Sequence, residues 1–94
     1  MRKIEKEMIE AAKSGKNWSK DNTSVIAIVG GMLVQLHGND IGVYEDQGGG
    51  HFGFTVDVGT LKKWPTNTTK SRIRAFGVDL VQKKNKMYID GKEV

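Results

Sequence analysis

Four short apolar segments separated by turn residues fill the middle of this chain, and they constrain its fold more than any other feature. They occupy residues 25–29, 32–37, 41–44 and 51–58. Runs of this length between turn signals are typical of antiparallel strands. The Gly30-Gly31 pair predicts a two-residue hairpin turn between the first two runs. The sequence therefore predicts a meander of four strands.

The first and last of these runs differ in pattern, which predicts different degrees of burial. Residues 25–29 are continuously apolar and rich in β-branched side chains, so they predict a central strand covered on both faces. Residues 51–58 alternate, so they predict a half-buried strand with one apolar face. The inward side chains are expected to include Phe52, Phe54, Val56, Val25, Leu36, Ile73 and Phe76.

Helical patterns lie on either side of the meander. Residues 2–14 carry an apolar stripe at helical spacing, and Gly15 stands where a left-handed cap belongs. A second helix is predicted over residues 68–76, with Thr66 or Asn67 as its N-cap.

Two further segments, residues 79–83 and 87–89, are predicted to form a closing hairpin. A chain of 94 residues buries one modest core. The sequence therefore predicts a single α+β domain over residues 1–94. Its antiparallel sheet consists of the meander plus the C-terminal hairpin, and with two helices the order is α-β-β-β-β-α-β-β.

Composition excludes several classes of protein. No apolar run approaches the roughly 18 residues of a membrane span. The absence of cysteine excludes a disulfide scaffold, a Cys-ligated zinc site and a thiol nucleophile. The charged N-terminus lacks the apolar region of a secretory signal, so we expect an intracellular protein.

Charge is distributed unevenly along the chain. The formal net charge is +3 for residues 1–20, −5 for residues 21–60 and +6 for residues 61–94. Residues 21–60 contain no lysine or arginine. Such asymmetry indicates a nucleic-acid or charged-protein partner, although sheet segments poor in lysine give the same pattern.

The second helix and the closing hairpin carry a candidate phosphate-binding set. Cations close to a helix N-terminus with free N–H groups favour contact with phosphate. The alternative is that the hydroxyl and amide side chains cap the helix and that the lysines are simply solvated. The candidate residues are Lys70, Arg72, Arg74, Asn67, Lys83, Lys84 and Lys86.

The acidic middle of the chain carries a candidate protein-binding set. A segment with acids and no cations can present negative charge to a basic groove on another protein. The alternative is that these acids are solvated turn residues. The candidate residues are Asp40, Glu45, Asp46 and Asp57.

Catalytic chemistry has weaker support. His37 or His51 with a nearby aspartate, such as Asp57, would give an acid–base pair, but the sequence lacks both a nucleophile-elbow serine and metal-binding spacings such as HExxH. We therefore predict no catalytic residue, no metal site and no cofactor.

Short motifs along most of the chain carry a family resemblance. They are MIEAA at 8–12, GKNW at 15–18, LHGN at 36–39, TNTTKSRI at 66–73, GV at 77–78, VQKK at 81–84 and MYI at 87–89. Together they resemble a family of small tailed-bacteriophage proteins. The chain departs from the pattern at residues 45–50, which look expanded, and at Met87, where the family has an aromatic residue. The resemblance implies a phage origin and carries no mechanism.

These observations lead to one main hypothesis and two alternatives. The main hypothesis is a non-catalytic phage accessory protein that binds, and inhibits or redirects, a host or phage protein that handles nucleic acid. The first alternative is direct nucleic-acid binding through the second helix and the hairpin. The second is a small metal-dependent hydrolase. We expect a monomer or an edge-paired homodimer in the cytoplasm of the infected host, without membrane contact.

Overall fold

Three helices and eight strands make up the protein. The structure, a computed structural model, describes all residues from 1 to 94. The first part contains α1 (Lys3–Ser14), β1 (Trp18–Lys20), β2 (Thr23–Ile28), β3 (Gly31–Leu36), β4 (Asn39–Asp46) and β5 (Phe52–Val56). The second contains α2 (Val58–Lys63), α3 (Asn67–Ala75), β6 (Leu80–Lys83), β7 (Lys86–Ile89) and β8 (Lys92–Glu93).

The strands form two antiparallel sheets. Strands β1 to β5 form a meander in sequence order, and β6 to β8 form a second, smaller sheet. The predicted α+β class and the order of the predicted elements are confirmed. The structure adds three short elements, β1, α2 and β8, whose two to six residues are too few to give a periodic pattern.

Two local boundaries differ from the prediction. The hairpin turn lies at Val29 and Gly30, because β3 already begins at Gly31. Strand β5 ends at Val56, because the side chain of Asp57 accepts a hydrogen bond from the backbone N–H of Thr60 and caps α2. At α3 the N-cap is Thr66, one of the two predicted candidates.

The core lies between one face of the five-stranded sheet and the helices. Met8 of α1 and Ile73 of α3 are fully buried against Val25 and Val34 of the sheet. Trp18 in β1 folds back against this cluster. We call the sheet face that carries these residues the inner face. No helix of the protein is long and apolar enough to cross a bilayer.

Phe54 and Phe52 occupy the same face of β5 but differ in burial. Phe54 is buried and stacks on Phe76, with ring centroids 4.4 Å apart and planes 6° from parallel. Phe52 is 57% exposed, so its predicted place in the core is wrong. Its ring contacts Tyr44 at 5.7 Å, at the end of the strand.

A bulge in β4 changes the direction of its side chains. Val34 pairs with Gly42 while Gln35 pairs with Asp40, so Ile41 is an extra residue and both Ile41 and Gly42 are buried. A Cβ at Gly42 would meet the ring of Phe54 and would lie 2.6 Å from the carbonyl oxygen of Thr55. The bulge therefore buries Ile41 and leaves Asp40 exposed on the opposite face.

The opposite face of the sheet has no covering layer. Ile26 and Ile28 of β2 are 37% and 42% exposed, so the prediction that this strand is covered on both faces is wrong. The helices pack on one face only, and the small C-terminal sheet packs beside α3. We call the uncovered side the outer face.

Candidate interaction surfaces

An apolar row crosses the outer face from strand to strand. Strand register places Ile26 opposite Leu33, Leu33 opposite Val43, and Val43 opposite Thr55. Side chains opposite one another on neighbouring strands are in contact distance. Four strands thus contribute to one continuous row, in which Ile26 and Thr55 are exposed and the two residues between them are half-buried.

The structure separates the four acidic candidates into two groups. Asp40 is the second residue of β4. Asp57 lies close to it, because the N–H of Asp57 bonds to the carbonyl oxygen of Ile41 at 2.9 Å. Glu45 and Asp46 lie at the other end of β4, roughly 20 Å away along an extended strand. The predicted acidic set is therefore not one cluster but two groups, which lie on either side of the apolar row along the direction of β4.

Three of these carboxylates already accept hydrogen bonds. Asp40 accepts from the side chain of Gln35 at 2.7 Å, Asp46 from the N–H of Gly48 at 2.9 Å, and Asp57 from the N–H of Thr60 at 3.0 Å. All three residues are exposed, so their charges act in solvent. These bonds fix the direction of each carboxylate without neutralising it.

Four of the five strands of the sheet contain no basic residue, so no cation on these strands opposes the acids of β4. Strands β2 to β5 lie within residues 21–60, where there is no lysine or arginine. The candidate site is therefore an apolar row with acids on either side of it. Sequence reasoning identified the acids and missed the row, because it assigned Ile26 and Ile28 to a strand buried on both faces.

The basic candidates lie on the helical side of the sheet, where the structure joins two of their segments. The ammonium of Lys70 in α3 donates to the side chain of Gln82 in β6 at 2.6 Å. Lys83 follows directly in β6, and Lys84 and Lys86 complete an exposed hairpin end. Asn67 is exposed in the first turn of α3. The bond joins the predicted helix to the predicted hairpin, and Lys83 points to the face of β6 opposite to Gln82 because neighbouring strand residues alternate.

Two arginines of the basic set are held by hydrogen bonds to other parts of the protein. Arg72 is buried, and its guanidinium donates to Glu5 at 2.8 Å and to the hydroxyl of Thr23 at 3.2 Å. Its prediction as a phosphate contact is corrected, because the side chain points into the core. Arg74 is exposed, but its Nε donates to the carbonyl oxygen of Leu80 at 2.8 Å.

A cleft of about 330 Å³ lies where two motifs of the sequence meet. The residues that line it come from the end of β3, the start of β4, the end of α2 and the start of α3: Leu36, His37, Asn39, Ile41, Thr60, Trp64, Thr66, Thr68 and Thr69. Its polar groups are hydroxyls, one amide and the ring of His37. That ring contacts the side-chain amide of Asn22 at 2.9 Å. The cleft therefore offers hydrogen bonds and no charged side chain.

The histidines and carboxylates that a hydrolase would need do not come together in the structure. Neither His37 nor His51 lies within 4.0 Å of a carboxylate oxygen. No three histidine, aspartate or glutamate side chains are grouped so that they could hold a metal ion. The acid–base pair considered from the sequence, His37 or His51 with Asp57, is therefore not formed in this structure.

Fold and surfaces define a small α+β protein with an open, acidic sheet face on one side and a basic helical side on the other. The family model described as Kyanoviridae Gp96 protein matches residues 1–94. The chain therefore belongs to the Kyanoviridae Gp96 family of phage proteins, and the phage origin implied by the sequence resemblance is confirmed. No curated protein and no solved structure matches the chain significantly.

Proposed function

We propose that this phage protein is a non-catalytic accessory protein that binds a protein partner through its outer face. The apolar row from Ile26 to Val43, with acids on either side of it and no cation on β2 to β5, is the observation that supports this function. Uncovered contiguous apolar surface rimmed by polar groups is typical of protein interfaces.

The partner we propose is a host or phage protein that handles nucleic acid. Such proteins bind phosphates through grooves lined with lysine and arginine. A negative sheet face complements a groove of that kind, steers the two molecules together and competes with nucleic acid for it. Binding would therefore inhibit or redirect the partner in the cytoplasm of the infected cell.

Charge reversal on each side of the molecule tests this proposal. Asp40→Lys with Glu45→Lys reverses one acid on each side of the apolar row, and Lys83→Glu with Lys84→Glu is the matched reversal on the basic side. Both variants change four charge units at exposed or half-buried positions. Each tagged protein is incubated with a host lysate, with and without nuclease, and retained proteins are compared with wild type.

After nuclease treatment we expect the wild type to retain one protein from the lysate. The variant with Asp40→Lys and Glu45→Lys should lose this protein, and the variant with Lys83→Glu and Lys84→Glu should keep it. Binding of the isolated partner should weaken with added salt, because charge steering is screened. Retention of the partner by the variant with Asp40→Lys and Glu45→Lys, or loss of every partner after nuclease treatment, contradicts the proposal.

Direct nucleic-acid binding remains the second candidate, and one contact favours it. The Lys70–Gln82 hydrogen bond holds the start of α3 beside the hairpin that carries Lys83, Lys84 and Lys86. Each phosphate contact lowers the logarithm of duplex affinity by about 0.9 per logarithmic unit of salt. The double variant Lys83→Glu with Lys84→Glu should then weaken binding to mixed-sequence DNA and reduce the salt slope by about 2 units. Unchanged DNA binding by this variant contradicts the second candidate.

A further inference from the structure

Strand β5 is an open edge of the five-stranded sheet. It pairs with β4 alone. The N–H of Asp57 bonds to the carbonyl oxygen of Ile41 at 2.9 Å, and the N–H of Gln47 bonds to that of His51 at 2.7 Å. Backbone groups alternate in direction along a strand, so residues 51, 53, 55 and 57 face β4. The N–H and C=O groups of residues 52, 54 and 56 consequently point away from the sheet.

Nothing in the sequence of β5 protects this edge from pairing. Natural edge strands are guarded by charged residues, by proline, or by being very short. Strand β5 is FGFTV, with five residues, no charge and no proline. The other edge strand, β1, has three residues and carries Lys20. Beyond its end the side chain of Asn17 accepts a hydrogen bond from the N–H of Ala27 at 2.7 Å, so the N–H of β2 that β1 leaves uncovered already has a partner.

We propose that two copies of this protein pair antiparallel through β5, with the two-fold axis at Phe54. In this register Phe54 lies opposite Phe54 of the second copy, and Phe52 lies opposite Val56. All the outward N–H and C=O groups of residues 52, 54 and 56 then form hydrogen bonds across the axis. The register is symmetric about Phe54, so each copy offers the other the same hydrogen-bonding groups. The residues that pair through their backbones, Phe52, Phe54 and Val56, are all apolar.

Three features outside the backbone fit the same register. The ring of Phe52, 57% exposed in the single chain, gains Val56 of the second copy as a neighbour. His51 lies opposite Asp57 of the second copy on both sides of the axis, so imidazole and carboxylate face each other. The loop formed by residues 48–50 faces the start of the second copy's α2, and its three glycines carry no side chain to obstruct that helix.

The dimer would contain one continuous sheet of ten strands. Its outer face would carry two apolar rows end to end, each crossing from Ile26 to Thr55 and finishing at the two-fold axis. Pairing through β5 needs no partner protein, so it stands whether or not the proposed binding function is correct. It also gives the glycine loop a role at the contact between the copies.

A matched pair of proline variants tests the edge. Phe52→Pro removes an outward N–H of β5, and Ser19→Pro removes the outward N–H of β1, while neither removes a backbone hydrogen bond inside the sheet. Ser19→Pro also removes the exposed hydrogen bond between the hydroxyls of Ser19 and Ser24. Molar mass is measured by light scattering over a range of protein concentrations. We expect wild type and Ser19→Pro to reach twice 10.4 kDa and Phe52→Pro to stay at 10.4 kDa.

Amide hydrogen exchange identifies the register. In the dimer the amides of Phe54 and Val56 should exchange at least tenfold more slowly than in Phe52→Pro, whereas the amide of Thr55, bonded to β4 in both states, should change little. If Phe52→Pro does not fold, the variant His51→Asp is used in its place. This change puts a carboxylate opposite Asp57 of the second copy and leaves the backbone of β5 intact. His51→Gln, which adds no charge, is the control.

A wild-type protein that remains monomeric at millimolar concentration overturns the proposal. A dimer that Ser19→Pro disrupts, or one in which the amides of Phe54 and Val56 exchange freely, overturns it as well.

Discussion

Arg72 in α3 and Glu5 in α1 form an ion pair of 2.8 Å inside the protein, although 67 residues separate them in the sequence. Both side chains are almost fully buried. The hydroxyl of Ser71 also donates to Glu5, and Arg72 also donates to Thr23 of β2. No buried side-chain nitrogen or oxygen lacks a hydrogen-bond partner. The pair therefore joins two helices to the sheet at one point.

Removal of Arg72 should be strongly destabilising. Arg72→Ala leaves the carboxylate of Glu5 buried without its cation, which costs about 3–5 kcal/mol of unfolding free energy. Lys83→Ala, at an exposed position of the predicted basic set, should cost no more than about 0.5 kcal/mol. Urea unfolding of both variants measures the difference. Similar losses for the two would show that Arg72 is not part of the core.

Stability should fall in acid because of Glu5. Burial acts to raise the pKa of Glu5, but hydrogen bonds from Ser71, Arg72 and the N–H of Arg2 lower it below its ordinary value of 4.5. The unfolded chain therefore binds more protons in this range, and the stabilisation present above pH 4.5 is lost as pH falls through the lowered pKa.

The measurement is the pH dependence of unfolding free energy below pH 5. Glu5→Gln should remove this part of the slope, even though it is the less stable protein near neutral pH. Glu7→Gln is the control, since Glu7 forms only a partly exposed pair with Lys20 at 3.1 Å and should keep the slope. A wild-type slope retained by Glu5→Gln would contradict the assignment.

Phe54 and Phe52 should differ in their contribution to stability. Phe54→Ala removes a buried ring stacked on Phe76 and should cost about 3–5 kcal/mol. Phe52→Ala removes a mostly exposed ring and should cost less than about 1 kcal/mol. Thermal and urea unfolding at low protein concentration compare the two. Equal losses would contradict the burial difference along β5.

The bulge in β4 makes alanine unfavourable at Gly42. Its Cβ would meet the ring of Phe54 and the carbonyl oxygen of Thr55, so Gly42→Ala should cost about 1–3 kcal/mol. Gly59→Ala in α2 is the control, because its Cβ meets nothing closer than Asp57 at 3.5 Å and alanine favours helix by up to about 1 kcal/mol. A stable Gly42→Ala protein would show that the strand can move away from Phe54.

The sequence alone determined the class of fold and the course of the chain. Alternation along residues 51–58 and the motif around Thr66 are local patterns, so they predicted a strand and a helix start that the structure contains. The charge asymmetry is likewise a property of the sequence. The motifs also indicated the phage family, because family resemblance is carried by residue order.

Only the tertiary structure decided which surfaces are open and which charges are buried. Ile26 belongs to an apolar run that suits a buried strand, yet it is exposed because the helices cover one face of the sheet. Arg72 belongs to a helix with cations on both flanks, and whether it meets solvent or Glu5 depends on where α1 packs. Local patterns report periodicity, whereas burial and pairing depend on contacts between residues far apart in the chain.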